Sequence, residues 1–303
     1  MALLDRALVR LLPAVPRTVV QRVSSRYIAG TTLAQAVETV RALNAEGKLA
    51  TIDVLGEEIS SAEEAAAFTR SYHDVFEAIE REGLDSNVSV KPTALGLGLS
   101  YDLLKQNLGA LVNDAAARRN FVRIDMEDSS TTDDTLRVYR ELRTEGHRNV
   151  GPVLQASLRR TIADVAGIHN ARLCKGIYVE PPELQYREDE AVRASFMKTL
   201  EALLDEGAYV GIATHDDRLI DGALELVRGR GLPAETYEFQ MLLGVRPELG
   251  DALVRDRHPL RIYVPFGERW YEYSLRRLQE NPKVAGYVAS DVLHRLLPGR
   301  NGR

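Results

Sequence analysis

Phe121-Val122-Arg123-Ile124-Asp125, followed six residues on by Thr131-Thr132-Asp133-Asp134, is the stretch on which the fold turns. A short run of β-branched and aromatic residues suits an extended strand. Hydroxyls with early carboxylates suit a helix start, where they satisfy N–H groups that have no partner inside the helix. The same unit recurs along the chain. Runs at Leu49 to Leu55, Asn87 to Val90, Phe121 to Asp125, Val150 to Ala156, Ala171 to Gly176, Tyr209 to Ala213, Tyr237 to Met241 and Leu260 to Val264 alternate with longer amphipathic segments. One of these opens on Ser60-Ser61-Ala62-Glu63-Glu64, and a helical pattern through Thr31 to Gly47 precedes the first run. Strand then helix, eight times over about 250 residues with no dividing linker, predicts a closed parallel (β/α)8 barrel of the α/β class. The competing fold is an open doubly wound sheet. Against it, Gly96-Leu97-Gly98-Leu99-Ser100-Tyr101 lacks the last glycine of the G-x-G-x-x-G dinucleotide turn. The expected organisation is an N-terminal helical segment over residues 1–48 and the barrel over residues 49–303.

Composition narrows the function classes. With 303 residues and 45% hydrophobic content the chain can bury a sizeable core. It has no run of eighteen apolar residues and no signal-peptide pattern at its start, so the expected location is the cytoplasm. A single cysteine, Cys174, forbids an internal disulfide and fits a reducing compartment, where such a residue is more often packing than chemistry. A net charge of −5 argues against a nucleic-acid partner. Residues 1 to 30 differ from the rest, carrying Arg6, Arg10, Arg17, Arg22 and Arg26 against Asp5 alone.

A barrel places its chemistry at the C-terminal ends of the strands, and the residues there are functional in type. Lys91 follows the second run, Asp125 and Glu127 the third, Gln155 ends the fourth, Lys175-Gly176 the fifth and Thr214-His215-Asp216 the sixth, while Gln240 and Tyr263 come from the last two. Singly, each has a structural reading as a helix cap or an ion pair. Their recurrence at matching positions on seven strands points to an active site. Three chemistries stay open from these residues: a Schiff-base lyase at Lys91 or Lys175, a divalent metal on Asp125, Glu127 and His215, or a cofactor across the mouth whose phosphates face Arg172, Lys175 and the Gly176 backbone.

The end of the chain adds Tyr273-Ser274-Leu275-Arg276-Arg277-Leu278-Gln279-Glu280 before Asn281-Pro282. On a helix, positions 273, 276, 277 and 280 share a face. A tyrosine and two guanidiniums aligned in this way can grip a small carboxylate, because the planar fork of arginine matches it by paired hydrogen bonds. The alternative is a solvated helix end with an Arg276 to Glu280 ion pair.

Read in order, Ser89-Val90-Lys91, Ile124-Asp125-Met126-Glu127, Val153-Leu154-Gln155, Arg172-Leu173-Cys174-Lys175-Gly176-Ile177-Tyr178, Ala213-Thr214-His215, Glu238-Phe239-Gln240-Met241-Leu242 and the closing Tyr-x-x-Arg-Arg-x-x-Glu resemble the proline dehydrogenases, from about Ser86 onward. The chain length is similar to that of the monofunctional bacterial type. The resemblance implies a distorted barrel whose last helix lies over the mouth, with FAD as the cofactor and no metal. It implies oxidation of L-proline to Δ1-pyrroline-5-carboxylate by hydride transfer to the flavin N5. Electrons then pass to a quinone, and a pyrroline-5-carboxylate dehydrogenase is the downstream partner. Carried over by position, Lys91, Arg276 and Arg277 hold the substrate carboxylate, and Leu242, Tyr263 and Tyr273 pack around the ring. Asp125 and Arg172 match catalytic positions. Met126, Gln155, Lys175, Gly176, Ile177, Thr214, His215 and Glu280 match contacts to FAD. Ile177 departs from the alanine common in the family after Lys-Gly. Asp125 is expected to pair with Lys91, and Arg172 to stabilise the reduced flavin.

The basic opening segment has two readings. As an amphipathic helix it would lie on an anionic surface at the inner face of the plasma membrane, near a quinone in the bilayer. The stronger reading is packing on its own domain, since Pro13 and Pro16 interrupt the helix and the body of the molecule is acidic.

Overall fold

The computed structural model describes residues 26–56, 59–271 and 273–274. Its centre is a closed barrel of eight parallel strands in sequential order. The strands are β1 (Leu49–Val54), β2 (Ser86–Val90), β3 (Val122–Ile124), β4 (Val150–Gln155), β5 (Asn170–Cys174), β6 (Tyr209–Ala213), β7 (Tyr237–Leu242) and β8 (Leu260–Phe266). Every expected run is a strand, with ends within two residues of those read from the sequence. Pairing of β8 with β1, from Leu49 opposite Arg261 to Val54 opposite Phe266, closes the ring.

Helix α1 (Leu33–Ala45) precedes the barrel, and α2 (Ala62–Glu82), α3 (Tyr101–Ala117), α4 (Thr132–Thr144), α5 (Thr161–Asp164), α6 (Asp189–Asp205), α7 (Asp217–Gly229) and α8 (Pro247–Arg255) follow successive strands. α5 is a single turn, so the fourth crossover is made mostly of loop and the helical ring is uneven there. Helix starts follow the capping chemistry read from the sequence. Ser61 accepts from Glu64 N–H while Glu64 accepts from Ser60 N–H, and Thr32 forms a reciprocal box with Gln35. Thr131 is different. Its hydroxyl turns back to donate to the Asp128 carbonyl and leaves the first turn of α4 uncapped by a side chain, because Asp128 organises that loop itself by accepting from Ser130 N–H.

Alternation along each strand sorts the side chains into two layers. Ile52, Val88, Val90, Ile124, Leu154, Leu173, Val210, Ile212, Phe239 and Val264 are fully or nearly fully buried against the helices. This outer interface is the hydrophobic core, where each such side chain contributes about 1.5–3 kcal/mol of burial. The inward positions are different in kind. Asp53, Ser89, Lys91, Arg123, Asp125, Arg172, Glu238, Gln240 and Arg261 are polar or charged, and most of them are buried. A polar barrel interior is stable only if its members satisfy one another. Those inward residues join in hydrogen-bonded networks near the two ends of the barrel. Near the N-terminal end, Arg123 donates to the carbonyls of Pro152 and Asn170, and Arg261 donates to Glu238. Gly151 makes room there: a Cβ at this position would lie 2.7 Å from the Arg123 guanidinium. No helix among the described residues is long and apolar enough to cross a membrane.

Candidate active site

At the C-terminal mouth a cavity of about 570 Å³ opens between the strand ends. Lys91, Asp125, Met126, Gln155, Arg172, Lys175, Gly176, Ile177, Thr214, His215, Leu242, Tyr263 and Tyr273 all line it. These are all the expected site residues that fall among the described ones. Arg276, Arg277 and Glu280 lie outside the described residues.

Asp125 is the hub of the floor. Its Oδ1 accepts from Arg172 Nη1 at 2.9 Å and from the Ser89 hydroxyl at 2.5 Å, and its Oδ2 accepts from the Tyr263 hydroxyl at 3.2 Å. The Arg172 guanidinium also stands 5.3 Å from the centre of the Tyr263 ring, within cation–π range. Tyr263 therefore does more than fill space. Burial, with Asp125 and Asp53 nearby, drives its phenol well above the ordinary range, so it remains a donor at any physiological pH.

Lys91 meets Asp125, as expected, at the outer edge of ion-pair distance, and a second carboxylate holds it more closely. Its ammonium lies 3.9 Å from Asp125 but 2.9 and 2.8 Å from the two oxygens of Asp53. Asp53, at the inward end of β1, is completely buried, and that burial raises its carboxyl while Lys91 pulls it back down. Behind it, Tyr72 on α2 reaches in between β1 and β2. Its hydroxyl is 2.6 Å from the Ser89 carbonyl and 3.2 Å from Asp53 Oδ1, and it accepts from Val54 N–H at 3.3 Å. Asp53 was missed in the sequence because it looks like a lone polar break in an apolar run. Its period-2 spacing from Thr51 was the available signal.

On the opposite wall Lys175 pairs with Asp216, which also accepts from Arg193 at 2.8 Å. Burial opposes ionisation of Asp216, yet the hydrogen bonds from Lys175 and Arg193 outweigh it and hold the carboxyl at about 2. Arg218 pairs with Glu190 alongside and Arg246 with Asp217, so this side of the mouth is a belt of ion pairs in which Lys175 is the cation that lines the cavity. Gly176 is fixed by geometry: its φ of +95° belongs to glycine, and a Cβ would lie 2.4 Å from the Ser157 hydroxyl. Ile177 beyond it is about half exposed and faces the cavity. His215 Nε2 accepts from Leu242 N–H at 3.0 Å, which joins the ends of β6 and β7. Glu127 accepts from Thr93 N–H and hydroxyl, tying two loops together, and no cluster of metal-ligating side chains occurs among the described residues. Cys174 is a packing residue: burial pushes its thiol up to about 11.

Tyr273 is buried with Tyr27, Ile28 and Leu55 and lines the cavity, so this residue is seated at the mouth beside residues from the N-terminal side.

Comparison with known proteins agrees with this geometry. The family model described as proline dehydrogenase matches residues 36–290. Proline dehydrogenase 1 of Bacillus subtilis strain 168 is 37% identical over 272 residues, covering 88% of this chain and 90% of that protein. The proline dehydrogenase of Deinococcus radiodurans is 33% identical over 278 residues, covering 89% and 90%. The fold matches a crystal structure of proline utilization A from Bdellovibrio bacteriovorus with a TM-score of 0.81 at 24% identity, over 86% of this chain and 33% of that one. With a closed eight-stranded barrel, a polar mouth and these relatives, the chain belongs to the proline dehydrogenase family.

Proposed function

We propose that the enzyme oxidises L-proline to Δ1-pyrroline-5-carboxylate by hydride transfer to an FAD held across the barrel mouth, and passes the electrons to a quinone. The observation that carries this reading is the convergence of Lys91, Asp125, Arg172 and Tyr263 on one cavity floor, with Lys175 and Gly176 lining the same cavity.

The residues present fit a flavin nucleotide. Gln155, Thr214 and His215 supply polar groups to the lining, Lys175 suits a pyrophosphate, and the glycine at 176 lets backbone approach closely. When bound, a flavin supplies the two-electron acceptor. The rest is done by this chain's own side chains. Lys91, with Arg276 and Arg277, fixes the proline carboxylate, while Leu242, Tyr263 and Tyr273 pack the ring and exclude water. Asp53 and Asp125 balance the charges of Lys91 and Arg172, so the floor is close to neutral before substrate arrives. A lone pair on the neutral proline nitrogen would form the C5=N bond as the hydride leaves C5, giving the protonated imine. The amine must therefore lose its proton first. Arg172, anchored by Asp125 and lining the cavity, would stabilise negative charge developing on a flavin bound there.

Residues 49–303 form the catalytic unit in this reading. Arg6, Arg10, Arg17 and Arg22 of the basic segment lie outside the described residues, and co-sedimentation with anionic vesicles separates its two readings, packing on its own domain and peripheral contact with an anionic membrane. The first test is the purified protein itself. It should be yellow, release FAD on denaturation and lose its flavin absorbance anaerobically with L-proline. A colourless protein trapped covalently by borohydride and a carbonyl compound would instead establish a Schiff-base lyase at Lys91 or Lys175.

A further inference from the structure

We infer that Gln240 is a positioning residue for Arg172, that Glu238 fixes the orientation of the Gln240 amide, and that Gly211 is the space this amide occupies. The inference rests on reading Arg172 as a catalytic group.

Arg172 is gripped from two sides. Its Nη1 donates to Asp125 and to the Ser89 hydroxyl at 3.0 Å, and its Nε donates across the barrel to Gln240 Oε1 at 2.5 Å. Its remaining nitrogen, Nη2, has no hydrogen-bond partner among the described residues, and Arg172 lines the cavity. A planar guanidinium held at two of its three nitrogens can present the third in one direction only. Gln240 therefore decides where that nitrogen points.

An amide can do this only if it does not turn over. With oxygen and nitrogen exchanged, Gln240 would offer N–H groups to a cation, donor against donor. Glu238 removes the ambiguity. Its Oε1 accepts from Gln240 Nε2 at 2.6 Å, and residues 238 and 240 share the inward face of β7. Glu238 is itself fixed, since the same oxygen accepts from Arg261 Nε at 2.7 Å and Arg261 Nη1 donates to the Ala50 carbonyl at 2.6 Å. Burial opposes its ionisation, but Arg261 outweighs this and holds the carboxyl below its ordinary range. The chain from Arg172 through Gln240 and Glu238 to Arg261 thus runs from the active-site floor to the far end of the barrel.

Gly211 lies on β6 directly opposite Glu238 in register. Its φ is not in the left-handed region, so the backbone does not demand glycine there. Space does. A Cβ would sit 2.3 Å from Gln240 Nε2 and 2.8 Å from its Cδ.

The test uses the flavin-loaded enzyme and reads kcat, KM for proline and the flavin midpoint potential for Gln240→Met, Gly211→Ala and the double variant. Gly211→Ala alters no charge and no hydrogen-bonding group, so any effect comes from displacing Gln240. Both single variants should lose about tenfold in kcat, the scale of one charge-assisted hydrogen bond. KM should stay within about twofold, because Arg172 does not hold the carboxylate. The flavin potential should fall by about 30 mV, the same tenfold in a two-electron equilibrium. In the double variant the alanine should add nothing further, because the side chain it displaces no longer holds Arg172. Wild-type kcat and potential in Gly211→Ala, or an equal alanine effect in both backgrounds, overturns the inference. Arg172→Met separates this from the reading beneath it. If that variant keeps kcat and potential, Arg172 is not catalytic. If it lowers both while Gln240→Met lowers neither, only the inference fails. Should Gly211→Ala not fold, Glu238→Gln tests the same orientation: unchanged kcat and potential in a folded protein would overturn the inference.

Discussion

Lys91 Nζ lies 2.8 Å from Asp53 on β1 and 3.9 Å from Asp125 on β3, so the lysine meets its expected partner Asp125 at the outer edge of ion-pair distance and is hydrogen-bonded to Asp53. The pair is almost wholly buried. Removing one partner of such a pair leaves a buried charge and costs about 3–5 kcal/mol. Asp53→Asn should therefore lower the unfolding free energy by about 3 kcal/mol in chemical denaturation. It should also weaken proline, because the ammonium is no longer held where the carboxylate is bound. Tyr72→Phe removes the hydroxyl behind Asp53 and should reproduce a smaller part of both effects, about 1 kcal/mol.

Asp216 gives the structure a definite acid sensitivity. Its folded carboxyl titrates at about 2 against a reference value of 3.8. A depressed carboxylate contributes stability that is fully present above the reference value and lost as pH falls through the folded one. The window is thus about pH 4 down to about pH 2, and the contribution at neutral pH is about 2 kcal/mol. Asp216→Asn should be less stable than the parent at pH 6 by about that amount, with the gap closing near pH 2. A gap unchanged between those two pH values would count against the pairing with Lys175 and Arg193.

The strands were legible because each outward face carries β-branched or apolar residues, as at Val88 and Val90 or Val210 and Ile212. The site was legible because inward residues at the strand ends are polar where a packed barrel would be apolar. What escaped was pairing across long sequence separations. Asp53 and Lys91 are 38 residues apart, and nothing in either local run names the other. Tyr72 reads as a packing aromatic on an amphipathic helix, and only the folded barrel brings Val54 N–H, the Ser89 carbonyl and Asp53 to its hydroxyl. Glu238 and Gln240 carried the period-2 signal, but their partners Arg261 and Arg172 sit on two other strands.

Arg276 and Arg277 lie outside the described residues, and their role rests on the sequence pattern. Alanine at either should weaken proline and carboxylate inhibitors by roughly ten- to a hundredfold, the worth of one charge-assisted contact of about 1.5–3 kcal/mol. Lysine should rescue partly, since a point charge cannot reproduce the fork. Unchanged apparent affinity in both alanine variants would remove the two arginines from the substrate site.

The pH profile distinguishes substrate from protein. Because the neutral amine reacts, kcat/KM for proline should rise from slightly acidic to alkaline pH. Tyr263 cannot be the group responsible, since burial keeps its phenol protonated well beyond that range. Tyr263→Phe should lower kcat/KM through the lost bond to Asp125 while leaving the position of the rise unchanged. A rise that moves or vanishes in Tyr263→Phe would place the titrating group on the protein.

The most direct measurement is single-turnover reduction of the bound flavin, followed anaerobically by stopped flow, with L-proline and with L-proline deuterated at C5, the ring carbon bonded to nitrogen on the side away from the carboxylate. The account predicts complete loss of flavin absorbance at saturating proline, several-fold slower with the deuterated substrate, and pyrroline-5-carboxylate formed in equal amount to flavin reduced. No reduction, or reduction at the same rate with both substrates, would contradict hydride transfer from that carbon in this site.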